Sequence, residues 1–285
     1  MSEPAEHGRA GRLAWRALAP FGAEVEHDFR EPLTAEEAEA FRRLLFERRL
    51  LLMRGQSLSL AQQQDLVAHI GPVLRGERGM AYVAPDDGIL NDARLAFHSD
   101  LAFAPEPFTA LSLHAVDVED GQTSTLFVDG VSALQTLDAP LKAAVAGRQA
   151  VFVQPMQPDV RQMDRDERPG HAMSRPIVFT HPTTHEPVLF VNEQHVARVE
   201  GLEPAESRAL LTELFGHLYG GRHTFEHRWR NGDLILWDNI ALQHGRGAIR
   251  GVARRRLQRA SVAQRSLLEQ MPDYFEARPP VGAPG

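Results

Sequence analysis

Residues 109–130, TALSLHAVDVEDGQTSTLFVDG, decide the fold class of this chain. Residues 109–118 alternate between apolar and polar side chains, as a β-strand with one buried face does. The tripeptide Glu-Asp-Gly that follows is a turn signal, and residues 123–130 form a second strand-like run. The stretch therefore predicts two consecutive strands.

Short strand-like runs continue towards the C-terminus, with turn signals between them. They comprise residues 149–155, a hairpin at 175–192, and final strands at 223–230, 232–239 and 254–262. Many short strands of this kind predict an antiparallel double-sheet jelly roll. Helical patterns occur at residues 34–50, 59–71, 130–147 and 203–220. The predicted fold class is therefore mainly β with flanking helices (α+β).

The pattern is consistent with one domain over residues 21–265. Residues 1–20 are interpreted as an N-terminal tail and lead-in, of which residues 1–15 are expected to be loose. Residues 266–285 are interpreted as a disordered C-terminal tail. Residues 156–175 are polar and irregular, and because long loops are often functional we interpret them as a candidate active-site lid.

The composition of the chain excludes several classes of protein. A net charge of −7 provides no basic surface for nucleic acid. No apolar run reaches membrane-spanning length, and the first residues lack the apolar core of a signal peptide. We therefore expect a cytoplasmic protein without a membrane partner. Because the chain contains no cysteine, disulfides, thiolate-bound zinc and iron–sulfur clusters are excluded.

Three side chains form a candidate metal site. His98 and Asp100 lie two positions apart, so on a strand both point to one face while Ser99 points to the other. Together with His244 they provide two imidazoles and one carboxylate, a facial triad that leaves three positions of an octahedral Fe(II) open for a co-substrate and O₂. The alternative is that His98 is a core histidine and Asp100 a turn residue.

Two arginines on the last predicted strand form a candidate anion site. Arg255 and Arg259 share one face of this strand, whereas Arg254 and Arg256 share the other. Inward-facing guanidinium groups are costly unless they bind anions, and a guanidinium binds a carboxylate through two parallel hydrogen bonds. The alternative is a solvated basic edge, and a shift of one residue in register would turn Arg254 and Arg256 inward instead.

Taken together, these motifs resemble the taurine dioxygenase / 2,4-dichlorophenoxyacetate dioxygenase (TauD/TfdA) family of Fe(II)- and 2-oxoglutarate-dependent oxygenases. The resemblance extends from about residue 20 to residue 263. It rests on the motifs FHSD (97–100), GQTSTLF (121–127), LFVNE (189–193), GDLILWDNIALQHGR (232–246) and RRRLQRAS (254–261). The resemblance implies a double-stranded β-helix, and an enzyme that oxidises a C–H bond, most simply by hydroxylation, while 2-oxoglutarate is decarboxylated to succinate and CO₂.

The resemblance also implies roles for individual residues and for the cofactors. It implies that His98, Asp100 and His244 are the iron ligands, and that O₂ and 2-oxoglutarate are co-substrates. Thr125 matches the threonine that hydrogen-bonds 2-oxoglutarate, and Arg255 matches the arginine that binds its distal carboxylate. Because related halogenases lack the carboxylate ligand, the presence of Asp100 argues against halogenation.

The substrate pocket is implied in the same way. Arg259 matches an arginine that meets the anionic end of the substrate, and Phe190 matches an aromatic pocket position. Arg75 and Arg94 fall near polar pocket positions. The implied partner is a small anionic molecule, a carboxylate or a sulfonate. Enzymes of this family are commonly dimers or tetramers, so a homo-oligomer is also expected.

Two other classes of function fit part of the pattern. A zinc hydrolase can use two histidines, one aspartate and an activated water, but it leaves Thr125, Arg255 and Arg259 unexplained. A non-catalytic β-helix protein that binds an anion does not require the intact ligand set. Four other histidines have no partner pattern and are interpreted as structural or surface residues, namely His69, His114, His181 and His185.

Overall fold

Most of the described elements are β-strands, and most of these strands lie in two larger sheets. The computed structural model describes residues 6–75, 82–83, 93–155, 159–164, 172–249 and 251–273. Its strands are β1 His7–Ala10, β2 Leu13–Ala17, β3 Ala23–Glu26, β4 Leu50–Met53, β5 Tyr82–Val83, β6 Leu95–His98, β7 Ala110–Val118, β8 Ser124–Asp129, β9 Gln149–Val153, β10 Ala172–Pro176, β11 Val178–Thr180, β12 Pro187–Leu189, β13 Val196–Val199, β14 Thr224–Arg228, β15 Leu234–Asp238, β16 Leu242–Arg246 and β17 Arg255–Val262.

The helices surround these strands. They are α1 Ala35–Arg48, α2 Leu60–Val67, α3 Gly130–Thr136, α4 Ala139–Val145, α5 Pro204–Leu218 and α6 Leu267–Gln270, with a short 3₁₀ helix at Gln162–Asp164. Thr34 and Ser59 cap α1 and α2, and in both helices the third residue after the cap completes a capping box. The predicted helices at 34–50 and 59–71 are therefore present, and each begins directly after its capping residue.

The two larger sheets form the jelly roll that the sequence predicts. The eight-stranded sheet has the order β1-β2-β3-β4-β15-β7-β17-β5, and the four-stranded sheet has the order β14-β8-β16-β6. One buried cluster contains Leu111 and Leu257 from the first sheet together with Phe127 and Leu242 from the second. The sheets consequently pack face to face through this apolar layer, and the four-stranded sheet carries both predicted histidine ligands.

The N-terminal residues differ from the expectation of a loose tail. Strands β1 and β2 pair with each other, and β2 pairs with β3 in the large sheet. Leu13 is buried, and the Arg12 guanidinium donates to Glu37 on α1, with Nη2 2.9 Å from Oε2. The expectation failed because β1 and β3, which pair with the strand that starts at Leu13, are four-residue runs, HGRA and AEVE, with few apolar residues to mark them as strands.

Two other predicted irregular segments carry some regular structure. Within residues 156–175 the structure has the 3₁₀ helix and most of β10, residues 159–161 belong to no helix or strand, and residues 156–158 and 165–171 lie outside the described residues. Ser266 caps α6 at the start of the predicted C-terminal tail, and residues 274–285 lie outside the described part of the chain. The lid therefore stays a prediction. Among the described residues, we find no helix whose length and apolar character would allow it to cross a membrane.

Candidate metal centre

Cross-strand pairing brings the two histidines of the predicted triad together. Strands β6 and β16 are antiparallel, and His98 lies directly opposite His244 in their register. Their ring centroids are 4.1 Å apart. Asp100 is not on a strand as expected, because β6 ends at His98 and Asp100 lies in the turn that follows. The triad is thus built from two strand residues and one turn residue.

The donor atoms of the triad surround a common point. His98 Nε2 lies 3.1 Å and His244 Nε2 lies 3.8 Å from Asp100 Oδ1. One ligand atom from each residue lies within 4.8 Å of the others, and no second such group of three occurs among the described residues. Nitrogen and oxygen ligands bind a divalent metal at about 2.0–2.2 Å, so a single ion fits between these atoms. The residues present therefore fit a metal.

The local electrostatics favour the protonation states that a metal requires. Burial first, and then the charge of His98, lower the pKa of His244 to about 3, so its imidazole is neutral near neutral pH. Burial would raise the pKa of Asp100, but the Arg259 guanidinium and a hydrogen bond with His98 outweigh it and hold this pKa well below its usual range. His98 Nδ1 lies 2.9 Å from the carbonyl oxygen of Ala96, and when it donates to this oxygen a metal can take the place of the proton between His98 Nε2 and Asp100.

Arg259 contacts the metal site directly. Its Nη2 donates a hydrogen bond to Asp100 Oδ2, which leaves Oδ1 facing the two histidines. The guanidinium also lies over the ring of Phe108, with its central carbon 5.7 Å from the ring centroid. In this structure the arginine predicted to meet the substrate anion therefore binds the second carboxylate oxygen of a predicted metal ligand.

The register of β17 places the other predicted arginine in the interior. Arg255 and Leu257 are buried with Arg259, whereas the Arg254 and Arg256 side chains are exposed. The register shift between β17 and β7 skips a residue of β7, so the alternation along β17 is unbroken. The alternative interpretation, a solvated basic edge, therefore applies only to Arg254 and Arg256.

Thr125 lies on β8 with its hydroxyl already in one hydrogen bond. Its side chain is buried, and Oγ1 accepts from the indole Nε1 of Trp229 at 3.0 Å. A threonine hydroxyl has one proton to donate in addition to its acceptor lone pairs. The indole contact therefore fixes the oxygen and leaves the proton available for a carboxylate.

Three further residues predicted for the substrate pocket have other contacts. The Phe190 ring is buried in the core, 5.8 Å from the Phe152 centroid and 5.1 Å from the Phe179 centroid. The Arg75 side chain is half exposed, and its Nη2 lies 2.6 Å from Asp65 Oδ1 on α2. None of the contacts described for Phe190 or Arg75 reaches the triad. The sequence around Phe190 and around Arg75 does not show which residues these side chains contact.

Arg94 belongs to a network around a buried carboxylate that the sequence analysis did not single out. Glu193 accepts from Arg94 Nη2, from Arg161 Nε at 2.9 Å and from the backbone N–H of Phe97 at 3.2 Å. Arg94 also donates to the carbonyl oxygen of Asp159 at 3.3 Å. Glu193 thus joins the strand that carries His98 to part of the candidate lid. The sequence signal for this network is Glu193 itself, an acidic residue at the end of the largely apolar motif LFVNE.

One histidine beside the triad was also missed. His195 is buried, its ring centroid lies 6.1 Å from that of His98, and its ring packs against Phe103 at 5.2 Å. Burial, followed by the charge of His98, lowers its pKa well below the usual value. It follows β12 in an irregular segment, so no periodicity in the sequence points to it.

The four histidines interpreted from the sequence as structural or surface residues have such positions in the structure. His181 Nε2 lies 2.9 Å from Asp238 Oδ2 in the interior, and His114 Nε2 lies 3.1 Å from the carbonyl oxygen of Gln56. His69 and His185 are exposed.

Comparison with known proteins is consistent with the geometry of this site. The family described as "Taurine catabolism dioxygenase TauD, TfdA family" matches residues 14–261. The chain is 31% identical over 270 residues to an alpha-ketoglutarate-dependent 2,4-dichlorophenoxyacetate dioxygenase of Cupriavidus pinatubonensis, which covers 85% of this chain and 94% of that protein. It is 27% identical to an alpha-ketoglutarate-dependent sulfate ester dioxygenase of Pseudomonas putida, with coverage of 84% and 82%. The crystal structure of a taurine dioxygenase from Burkholderia xenovorans has a TM-score of 0.74 and 25% identity, and covers 88% of this chain and 89% of that one.

Proposed function

This chain belongs to the TauD/TfdA family of 2-oxoglutarate-dependent dioxygenases, and on that premise we propose that it uses Fe(II) to hydroxylate a small carboxylate or sulfonate. The observation that carries the proposal is the convergence of His98, Asp100 and His244 within 4.8 Å. Membership of this family contradicts both alternative functions, a zinc hydrolase and a non-catalytic protein that binds an anion. A cytoplasmic location and assembly into a dimer or tetramer remain predictions from the sequence.

Fe(II) is the metal proposed for this donor set. Two imidazoles and one carboxylate on one face leave three adjacent positions open, an arrangement typical of non-haem Fe(II) oxygenases. When bound together, Fe(II), 2-oxoglutarate and O₂ supply the oxidising chemistry, which the protein itself cannot supply. Asp100 contributes the single negative charge of the ligand set, and the neutral imidazoles of His98 and His244 complete it.

Arg255 and Thr125 are proposed to bind the distal carboxylate of 2-oxoglutarate. Arg255 is a buried cation on the inner face of β17, where an anion offsets the cost of its burial. The guanidinium offers a planar pair of donors, and the Thr125 hydroxyl adds a third. These side chains would orient the co-substrate, so that its other end is presented to the metal in one pose.

Arg259 is proposed to bind the anionic group of the substrate. It lies on the same face as Arg255 and touches Asp100, so a substrate held by it would lie beside the metal. The named relatives act on a phenoxyacetate and on a sulfate ester, and both compounds are anions. A substrate-binding role for Arg75 or Arg94 would require their present carboxylate partners to be exchanged for the substrate. Phe190 would contribute to the pocket from the core side.

The proposed function is tested with metal-free protein and defined additions. Anaerobic addition of Fe(II) and 2-oxoglutarate should produce a weak visible charge-transfer band, and Zn(II) should not. With O₂ present, a panel of carboxylates, sulfonates and sulfate esters should then include compounds that accelerate succinate release. The absence of the band, together with the absence of succinate for the whole panel, would contradict the proposal.

Substitution of Arg259 tests the substrate-binding part of the proposal. Arg259→Ala should raise the substrate KM by roughly 10- to 100-fold, because a charge-assisted contact is lost, and should affect the co-substrate KM less. Steady-state succinate release at varied concentrations of each compound measures both constants. Arg254→Ala, which removes an exposed arginine from the preceding stretch, serves as the control. An unchanged substrate KM would remove Arg259 from the binding site.

A further inference from the structure

We propose that Asn239 is a positioning residue that holds the metal ligand Asp100 in place and thereby sets the metal affinity of the site. The inference rests on the proposed function, because it takes the triad to be a metal site. Asn239 is part of the Trp-Asp-Asn sequence that precedes His244, which the sequence analysis left without a chemical role. The structure assigns it one through its contacts.

The Asn239 side chain binds both backbone polar groups of Asp100. Its Oδ1 accepts the Asp100 N–H at 2.8 Å, and its Nδ2 donates to the Asp100 carbonyl oxygen at 3.1 Å. The same Nδ2 donates to the carbonyl oxygen of Phe108 at 2.9 Å. Asn239 is fully buried, at 0% exposure, so these hydrogen bonds do not compete with water. One amide group therefore fixes the orientation of one peptide segment.

Asp100 needs such a contact because it lies outside the sheet. His98 and His244 face each other in the β6–β16 ladder, whose hydrogen bonds fix their backbones. Asp100 lies in the turn after β6, and the next residue, Leu101, has a φ of 58°. The Asn239 amide supplies for Asp100 what the ladder supplies for the histidines, namely a partner for its N–H and for its carbonyl oxygen.

The position of Asn239 is itself fixed from both sides. Its backbone N–H donates to the carbonyl oxygen of Thr109 at 3.0 Å. The neighbouring Asp238 accepts from the backbone N–H groups of Ile240 and Ala241 at 2.9 and 3.1 Å, and pairs with the buried His181. A side chain held this rigidly on the segment leading into β16 can transmit the position of that segment to the Asp100 turn. Asp100, in the turn after β6, and His244, on β16, are thus held in a fixed position relative to each other.

A purely structural role would have similar contacts, so the test needs a control with the same bonding pattern. Asn231 provides it, because its Oδ1 accepts the Val118 N–H at 3.0 Å and its Nδ2 donates to the Val118 carbonyl oxygen at 2.8 Å. Val118 ends β7 and is not a residue of the triad. Asn231→Ala therefore removes the same pattern of two hydrogen bonds, made by a more exposed side chain, from a residue that is not in the triad.

The experiment is a titration of metal-free protein with Mn(II), without 2-oxoglutarate, in which free Mn(II) is measured by electron paramagnetic resonance. Asn239→Ala should raise the Kd for Mn(II) by roughly 10- to 100-fold, as expected for loss of a group that orients a ligand. Asn231→Ala should leave this Kd near that of the wild type while lowering the Tm. Equal affinities for Asn239→Ala and the wild type, or equal losses in both variants, would overturn the inference. A wild type that does not bind Mn(II) would instead contradict the metal centre itself.

Two further measurements cover a variant that does not fold. Asn239→Ser keeps one polar side-chain atom and leaves a smaller cavity than Asn239→Ala does. Its Kd for Mn(II) should therefore lie between those of the wild type and Asn239→Ala. In the metal-free wild type, the Asp100 amide should exchange its hydrogen slowly, like the amides of β6, because Asn239 accepts it in the interior. Exchange of this amide at the rate of an open loop would overturn the inference without any substitution.

Discussion

Replacement of Asp100 by alanine is expected to lower 2-oxoglutarate turnover by roughly a thousand-fold or more, since the metal loses one of three protein ligands and the single anionic one. The two remaining ligands, His98 and His244, are neutral imidazoles. The Arg259 guanidinium, whose hydrogen bond Asp100 now accepts, would then lie beside the metal and repel it. Loss of attraction and gain of repulsion act in the same direction, so metal affinity should fall together with turnover.

Succinate release at saturating 2-oxoglutarate and Fe(II) measures the loss, and a Mn(II) titration separates metal binding from the later steps. Asp117→Ala is a suitable control, because Asp117 also pairs with an arginine of the C-terminal region, at 3.2 Å from Arg254 Nη1, but both side chains are exposed. The control should keep wild-type turnover. Full turnover by Asp100→Ala would end the assignment of the metal centre.

The sequence predicted those parts of the site that depend on strand periodicity. The alternation through Arg255, Leu257 and Arg259 survives in the structure because the bulge falls on the partner strand β7. In such a strand the local pattern determines which side chains share a face. The pairing of His98 with His244 was not predicted in this way, because the short strands β6, LAFH, and β16, LQHGR, show no alternation of apolar and polar residues.

Features created by distant contacts could not be predicted in the same way. The alternation through Ser99 suggests a strand that continues to Asp100, but Asn239 binds the Asp100 backbone from 139 positions away and the chain turns there. The partner of Arg94 could not be predicted for a similar reason. The charge of Arg94 is visible in the sequence, but Glu193, which accepts its hydrogen bond, lies 99 positions away. A local pattern records a residue's charge and face, and tertiary packing decides its partner.

Arg255→Ala is expected to weaken the binding of 2-oxoglutarate, measured as the co-substrate KM, far more than any neighbouring substitution. Truncating one member of a buried, hydrogen-bonded charge pair costs about 2–5 kcal/mol, which corresponds to roughly thirty-fold to several-thousand-fold in affinity. Arg255→Lys should recover only part of the loss, because an ammonium keeps the charge but not the planar pair of donors. Thr125→Val, which removes one neutral hydroxyl, should raise this KM by less than about ten-fold.

Arg256→Ala is the matched control for this prediction, because it removes the adjacent arginine from the exposed face of the same strand. Its co-substrate KM should equal that of the wild type, and Arg255→Ala should retain wild-type affinity for Mn(II) when 2-oxoglutarate is absent. These two results would distinguish a residue that binds the co-substrate from one that supports the fold, because a damaged fold would weaken the binding of both Mn(II) and 2-oxoglutarate. Equal KM values for Arg255→Ala and Arg256→Ala would show that the inner face of β17 does not bind the co-substrate.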